Sequence, residues 1–538
     1  MKVKAEVSIS PMCALQPVDE RPLMGYFTHL ENGHTVAHRW DLTRGCLMQP
    51  VTSSYRQLPL ILACLILIPA FAYAYVQSFA LGMKAFAVMN IGVAVFLGLA
   101  VFLRDLRTFF LFSMVFAIPL GLGIHLVRIP LVHYDYPTYV EGIVFDGVRA
   151  FLALLFFIWL MELSFKKERA AFTFGNSIGV LLLVWILYSL VAGWIKAVDF
   201  RYTFFECVAL FLDFLVFLYL VNNLRTKKDI RIVMYALFAG QTVQALFMMF
   251  QLATGINYNL TGFYVKEREA EVGFRAGGFF GGDVAAAEML AFMIPVGLAY
   301  YFLVKRASHR IILLLSMFIM VGGIFAAKTR SAGFLIIAGC ATVFALGRLH
   351  GWISKRSLRK ALTVSFLVLL LLSPLIIIRF QQAEGQWEGR LPLIYTAAGM
   401  FKDHWLLGVG ASNYLFHIAD YTPVRARFPW QLAAPVHNEY MLHLAERGII
   451  GTILFYWILM AACVSLWKTN RSPDKMIACS AAGTLGALIG SIAFRIFHPA
   501  HHSNFMPFYC VFLALAVALA YLESKRQDEV VEAFLEPT

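Results

Sequence analysis

Residues 434–457 read APVHNEYMLHLAERGIIGTILFYW. The passage opens polar, with His437, Asn438 and Glu439, and closes as the first turns of a long apolar run. Upstream, about 60 mostly polar residues separate that run from the previous one, and they include GRLPLIYTAAGMFKDHWLLGVGASNYLF at 389–416. The same alternation of long apolar runs with short polar connections extends in both directions. Of the 538 residues, 60% are hydrophobic and only 14% charged, and the mean hydropathy is +0.71. Runs of this length and composition span bilayers. The fold class expected is therefore all-α, a polytopic integral membrane protein.

Apolar runs place spans near 57–82, 85–103, 109–128, 148–164, 175–195, 204–222, 232–253, 284–304, 311–327, 332–350, 361–379, 448–467, 476–495 and 504–522, about fourteen transmembrane helices. The domain plan that follows has five parts. Residues 1–56 are a poorly structured cytoplasmic N-terminal arm, 57–379 a transmembrane bundle, and 380–447 a large outer-face loop containing short helices. Residues 448–522 are C-terminal transmembrane helices and 523–538 a charged cytoplasmic tail. The start of the chain lacks the pattern of a removable signal peptide, so the first span is expected to anchor it.

Basic residues gather in short cytoplasmic loops. Alternate connections here hold about 22 Lys and Arg, the opposite short loops about half as many. Both termini are thereby predicted cytoplasmic, with loop 380–447 on the outer face. The net charge of +13 follows from those clusters and not from one basic soluble face, so nucleic acid is not an expected partner and membrane lipids are. The eight cysteines show no CxxC spacing, which argues against a disulfide framework or a zinc site.

Three outward arginines stand out. Arg275 lies in the 254–283 connection and is followed by two Gly-Gly pairs before a span. It could hold an anion together with the following helix N-terminus, or snorkel to headgroups. Arg330 sits at a span entry in KTRSAGF, where an interfacial anchor is the ordinary role. Arg390 starts a helix in which Leu391, Ile394, Tyr395 and Ala398 recur at helical spacing. It could clamp a phosphate with its planar fork or pair with Glu384 or Glu388. In APVHNEYMLHLAERG, Pro435 suits a first helical turn and Gly448 a helix end, so His437, Tyr440, Met441 and Leu444 would share a face.

These residues resemble the bacterial O-antigen ligases and the related Wzy-type polysaccharide polymerases. The ligase pattern of His-Asn, nine residues, Gly, two residues and Gly-Thr is matched by His437, Asn438, Gly448, Gly451 and Thr452. Gly408, Gly410 and Asn413 resemble the family's upstream turn, FRAGGFFGGD its arginine loop (with Asp283 where asparagine is common) and KTRSAGF its span entry. The resemblance covers roughly residues 270–460. It implies a GT-C-like membrane glycosyltransferase that takes glycan from an undecaprenyl-diphosphate-linked donor at the periplasmic face of the bacterial inner membrane. The acceptor would be another glycan for a polymerase or lipid A core for a ligase. Carried over, His437 is the essential histidine, Arg275, Arg390 and Arg330 bind the diphosphate, and Asn438 belongs to the substrate-binding set.

An activated lipid diphosphate asks mainly for charge stabilisation on the leaving group, which arginines supply without a metal or cofactor. His437 could accept a proton from the acceptor hydroxyl or orient it, and Glu439 or Glu446 could be the base instead. Direct displacement would invert the anomeric centre. His498, His501 and His502 invite a metal reading, but no companion ligand has a settled spacing. His133, Asp135 and Asp146 offer a weaker analogy with acidic GT-C sites. Asp213 reads as a hydrogen-bonded core carboxylate or a proton relay. The competing class is a transporter or flippase of lipid-linked oligosaccharide, in which the arginines bind and no bond is made.

Overall fold

The computed structural model describes residues 25–31, 34–40, 105–121, 123–128, 142–165, 172–256, 258–259, 264–265, 274–280, 282–360, 363, 386–422, 435–498 and 505–535. The chain forms two units, Met1–Leu58 and Pro59–Thr538. In the first, where a poorly structured arm is expected, strands β1 (Gly25–Glu31) and β2 (His34–Trp40) pair antiparallel, with Glu31 opposite His34. The sequence between them is Asn32-Gly33, the dipeptide that suits a two-residue hairpin turn.

The second unit is a helical membrane bundle. Its helices are α1 (Leu106–Ala117), α2 (Gly147–Phe165), α3 (Asn176–Lys196), α4 (Phe200–Asn223), α5 (Lys227–Thr254), α6 (Asp283–Leu303) and α7 (Ala307–Ala327). They continue with α8 (Ser331–Leu349), α9 (Gln386–Asp403), α10 (Tyr414–Tyr421), α11 (Glu439–Thr469), α12 (Lys475–Phe494) and α13 (Phe505–Leu535). Ten of the described helices are long and apolar enough to cross a membrane, so the chain is an all-α polytopic membrane protein. The expected spans 57–82, 85–103 and, but for residue 363, 361–379 lie outside the described residues.

Two expected boundaries move. The 109–128 span is a short helix that turns at Pro119 and Gly121 (φ +54°) into strand β3 (Gly123–Arg128), which pairs antiparallel with β4 (Gly142–Asp146). Proline and a left-handed glycine end the helix before it reaches membrane length. In the expected charged tail, residues up to Leu535 are helical, because α13 continues beyond its apolar part as one helix.

Inside a membrane, helices associate by close packing rather than by hydrophobic transfer. Helix α12, KMIACSAAGTLGALIGSIAF, is built for that. A Cβ on Gly486 would lie 2.7 Å from the Gly339 carbonyl oxygen of α8, and one on Gly490 would lie 2.5 Å from that of Leu335. On its other side, a Cβ on Gly483 would lie 2.9 Å from the Val296 Cα of α6. Bulk at any of these positions would push the backbones apart. Helix α12 is accordingly buried along most of its length, between α6, α8 and α11.

The basic connections meet at one end of the bundle. Lys227, at the start of α5, pairs with Asp474 before α12, and Arg225 lies 4.6 Å over the Tyr521 ring of α13. The Arg275 and Arg330 loops follow the opposite ends of α5 and α7. There the 386–446 segment gathers its own core from Leu393, Ala397, Met400, Val409, Tyr414 and Leu442, among others.

Candidate active site

The Arg275 loop is held by α5. The Gln251 side chain brackets Gly278, accepting its N–H at 2.8 Å and donating to its carbonyl at 3.1 Å, while Gln244 accepts the Phe279 N–H at 3.2 Å. The Ala276 N–H is bound by the Ala326 carbonyl of α7 at 3.0 Å. Arg275 itself donates to Asp283 at 3.2 Å. The first turn of α6 therefore carries a carboxylate where an anion-holding helix end was expected. Gln244 and Gln251 were not singled out from the sequence; their signal is the amides at i and i+7 on one face of the helix, within its mostly apolar second half.

Arg330 immediately precedes α8, in a link where Lys328 takes a left-handed conformation (φ +54°). Arg390 lies in the second turn of α9, and not at its start. The predicted apolar stripe of α9 meets the loop core at Ile394 and leaves it at Leu391 and Tyr395. Leu391 and Tyr395 are exposed, while Leu393, Thr396, Ala397 and Met400 are buried, because the core forms on the adjacent stripe. The alternative partners Glu384 and Glu388 fall on a residue and a side chain outside the described ones.

The three arginines converge. Arg390 is depressed below the ordinary arginine range by burial and by the charges of Arg330 and Arg275, and Arg330 by burial and by Arg275. Like charges within mutual reach are costly to one another, and the Asp283 carboxylate beside Arg275 offsets part of that cost.

His437 feels one of these charges, that of Arg390. Burial, and then the Arg390 guanidinium, lower its imidazole to about 4. Its Nδ1 lies 3.1 Å from the Pro435 carbonyl oxygen. A carbonyl can only accept, so Nδ1 carries the hydrogen and Nε2 of the neutral ring keeps its lone pair.

The helix expected to begin near Pro435 begins at Glu439. Asn438 is its N-cap, accepting the Met441 N–H at 3.0 Å, so His437 precedes the helix and does not share a face with Tyr440, Met441 and Leu444. An asparagine cap outcompetes a proline start because its side chain satisfies a helix N–H. The Asn438 amide also donates to the Ile496 carbonyl at 2.9 Å. Both ends of that amide are thus engaged within the protein.

The two candidate carboxylates are in buried ion pairs. Glu439, 1% exposed, pairs with Arg495 and lies 3.3 Å from His443 Nε2. Glu446 accepts from Arg447 at 3.1 Å. Arg447 also pairs with Glu206 of α4, whose carboxylate accepts from Ser412 at 2.6 Å. This hub ties the 408–413 turn to the bundle, and neither Arg447 nor Arg495 was singled out from the sequence. For Arg495 the signal was a charge at the end of an apolar run, whereas Arg447 closes the polar loop beside Glu446.

Gly448 has φ +62°, ψ −169° and breaks α11, the helix end expected there. A Cβ on it would lie 2.3 Å from the Leu406 carbonyl oxygen, and one on Gly408 (φ +75°) 2.3 Å from the Glu446 backbone. The glycines of the two motifs are therefore one backbone contact.

Asp213 is a core carboxylate, bound by Arg149 at 3.2 Å, and Arg149 also binds Asp146 at 2.5 Å. His133, Asp135, His501 and His502 lie outside the described residues. His498 stands with its ring 5.3 Å from that of His437. Among the described residues, no group of three or more His, Cys, Asp or Glu is arranged to hold a metal ion. A cavity of about 650 Å³ lined by Arg231, Phe238, Tyr300, His309 and Leu313 lies at the other end of α5 to α7.

The fold and this cluster define a multi-pass membrane protein whose polar chemistry is gathered at one mouth of the bundle. The sequence model of the O-antigen ligase family matches residues 285–456, and the resemblance to O-antigen ligases and Wzy-type proteins holds over that part of the chain. It spans Arg330, Arg390 and His437, with Arg275 just before it and Arg495 after it. No curated protein gives a significant match. The match supports a membrane function of the O-antigen ligase or polymerase type; the matched family is glycosyltransferase-like and works on a lipid-linked glycan donor and an acceptor in general.

Proposed function

We propose that this protein transfers or polymerises glycan from an undecaprenyl-diphosphate-linked donor at the periplasmic face of the inner membrane, with both termini cytoplasmic. The observation that carries the reading is the convergence of Arg275, Arg330, Arg390 and His437. The arginines grip the diphosphate, and their fixed donors stabilise the charge that grows on it as the glycosidic bond breaks. His437, neutral at its lowered pKa, accepts a hydrogen bond through Nε2 from the attacking acceptor hydroxyl and takes its proton as the new bond forms.

Bound diphosphate offsets the Arg390 charge and so makes His437 more basic when the donor is in place. Displacement occurs in line from the opposite face, without a metal, and inverts the anomeric centre. Asn438 and Glu439 act by holding His437. The acceptor is a growing glycan for a polymerase or lipid A core for a ligase.

His437→Ala, purified and supplied with lipid-linked glycan from a strain lacking the gene, loses transfer while membrane insertion is unchanged. Normal transfer by that variant would reject the role. A flippase would move the donor without forming a bond, so product formation by wild type in detergent separates the two classes. In the deletion strain, single-repeat glycan identifies a polymerase, and full-length glycan stranded on its carrier a ligase.

A further inference from the structure

The C-terminal end of α12 touches both halves of this site. Three successive residues after His437 bind it: the Asn438 amide donates to the Ile496 carbonyl at 2.9 Å, the Glu439 N–H to the Arg495 carbonyl at 3.0 Å, and the Tyr440 hydroxyl to the Ile492 carbonyl at 2.9 Å. The Glu439 carboxylate pairs with the Arg495 guanidinium. Two residues on, Phe497 stacks on Phe334 at 4.7 Å and 21°, one turn along α8 from Arg330. Between these contacts His498 meets the His437 ring edge to face at 5.3 Å.

We propose that Arg495 is a positioning residue, through which the end of α12 fixes His437 at a set distance from the arginines. The proposal rests on the reading of His437 and the arginines given above. Arg495 is itself immobilised: it is 1% exposed, donates from Nε to Ser491 at 3.0 Å, and lies 4.7 Å over the Tyr509 ring and 5.6 Å over that of Phe455. Helix α12 is in turn seated on α8 by Gly486 and Gly490, leaving little room for sliding.

The chain of fixed contacts runs from Arg330 through α8 and α12 to Arg495, and then through Glu439 to the residue beside His437. The Arg495–Glu439 ion pair adds a side-chain tie to three hydrogen bonds that run from consecutive neighbours of one histidine to main-chain carbonyls of the same helix end. Transfer is sensitive to this spacing because a displacement of about 1 Å costs on the order of a hundredfold in rate.

The test compares Arg495→Met, Arg495→Lys, Tyr440→Phe and His437→Ala in purified full-length protein. The donor is lipid-linked glycan extracted from a strain lacking the gene, and geranylgeranyl diphosphate serves as a binding probe for the arginines. Arg495→Met lowers kcat about tenfold or more, with KM and probe affinity within about twofold, and Arg495→Lys recovers part of kcat.

A kcat within about twofold of wild type overturns the proposal, as does a loss in which probe binding falls equally. Tyr440→Phe removes one peripheral bond and keeps the question open to measurement if Arg495→Met does not fold. It lowers kcat about threefold at constant KM, and an unchanged kcat overturns the proposal. If His437→Ala retains transfer, the functional reading itself fails. If that variant is inactive while the Arg495 and Tyr440 variants are normal, only the positioning role fails.

Discussion

The Arg390 guanidinium bears on the imidazole of His437, helping to hold it at about 4, although the two residues are separated by the 391–436 segment of the loop. A histidine so placed is neutral across the physiological range. Its basicity depends on what occupies the arginines.

This gives a pH prediction with a definite sign. A group whose pKa is lowered stays neutral until the pH approaches that value, so the acid limb of kcat/KM, which reports the free enzyme, falls near 4 and not near 6.5. Bound diphosphate raises the His437 pKa, so the acid limb of kcat lies at higher pH than that of kcat/KM. Coincident limbs near 6.5 would contradict the Arg390–His437 coupling.

Arg390→Ala removes both a diphosphate donor and a source of that depression. Geranylgeranyl diphosphate affinity drops about tenfold or more, while the acid limb of the residual activity moves toward 6.5. Arg390→Lys keeps the charge and loses the planar fork, so it retains the low pKa but only part of the affinity. Unchanged probe binding in both variants would remove Arg390 from the clamp.

Gln251→Leu tests the support of Arg275 at a distance. Without its two hydrogen bonds to Gly278, the loop loses its register, and diphosphate affinity falls about threefold to tenfold. Protein level and the His437 pH limb remain as in wild type. Equal affinity would show that the Arg275 loop is held by its other contacts alone.

Arg447→Met leaves Glu206 and Glu446 buried without their common cation. Breaking such a pair costs about 3–5 kcal/mol, to be measured as a lowered midpoint of thermal unfolding in detergent. The double variant Arg447→Met with Glu206→Gln recovers part of the loss. A single variant as stable as wild type would reject the hub.

Gly448→Ala places a Cβ against the Leu406 carbonyl in a left-handed backbone. The strain is on the order of 1–3 kcal/mol and falls on the contact between the 408–413 turn and α11. Reduced transfer with a lowered unfolding midpoint is expected, and Gly333→Ala, whose Cβ would meet nothing within 4 Å, serves as the neutral control.

Much of this protein was legible without coordinates because bilayer crossing is a one-dimensional requirement: length, apolar composition and charge at the ends decide it. The helices of α2 to α8 begin and end within a few residues of their expected limits. The N-terminal hairpin and the Pro119 turn escaped because apolarity, read alone, overrode local turn chemistry. The face of α9 was misjudged for a different reason. Two adjacent stripes were both apolar, and the Leu393–Met400 stripe is the one buried in the loop core, with Ile394 packed at its edge.

The sequence by itself determined that His437, Arg275, Arg330 and Arg390 are polar groups at one end of an apolar bundle, and which helix ends carry them. Only the tertiary structure decided that Arg275 and Arg390, 115 positions apart, act on one another electrostatically, that Arg390 acts in turn on His437, and that Glu439 and Glu446 are ion-pair partners in the interior. The physical reason is that convergence depends on how helices pack. That packing is fixed by contacts such as Gly486 against Gly339 and Arg495 against Glu439, which no spacing along the chain encodes.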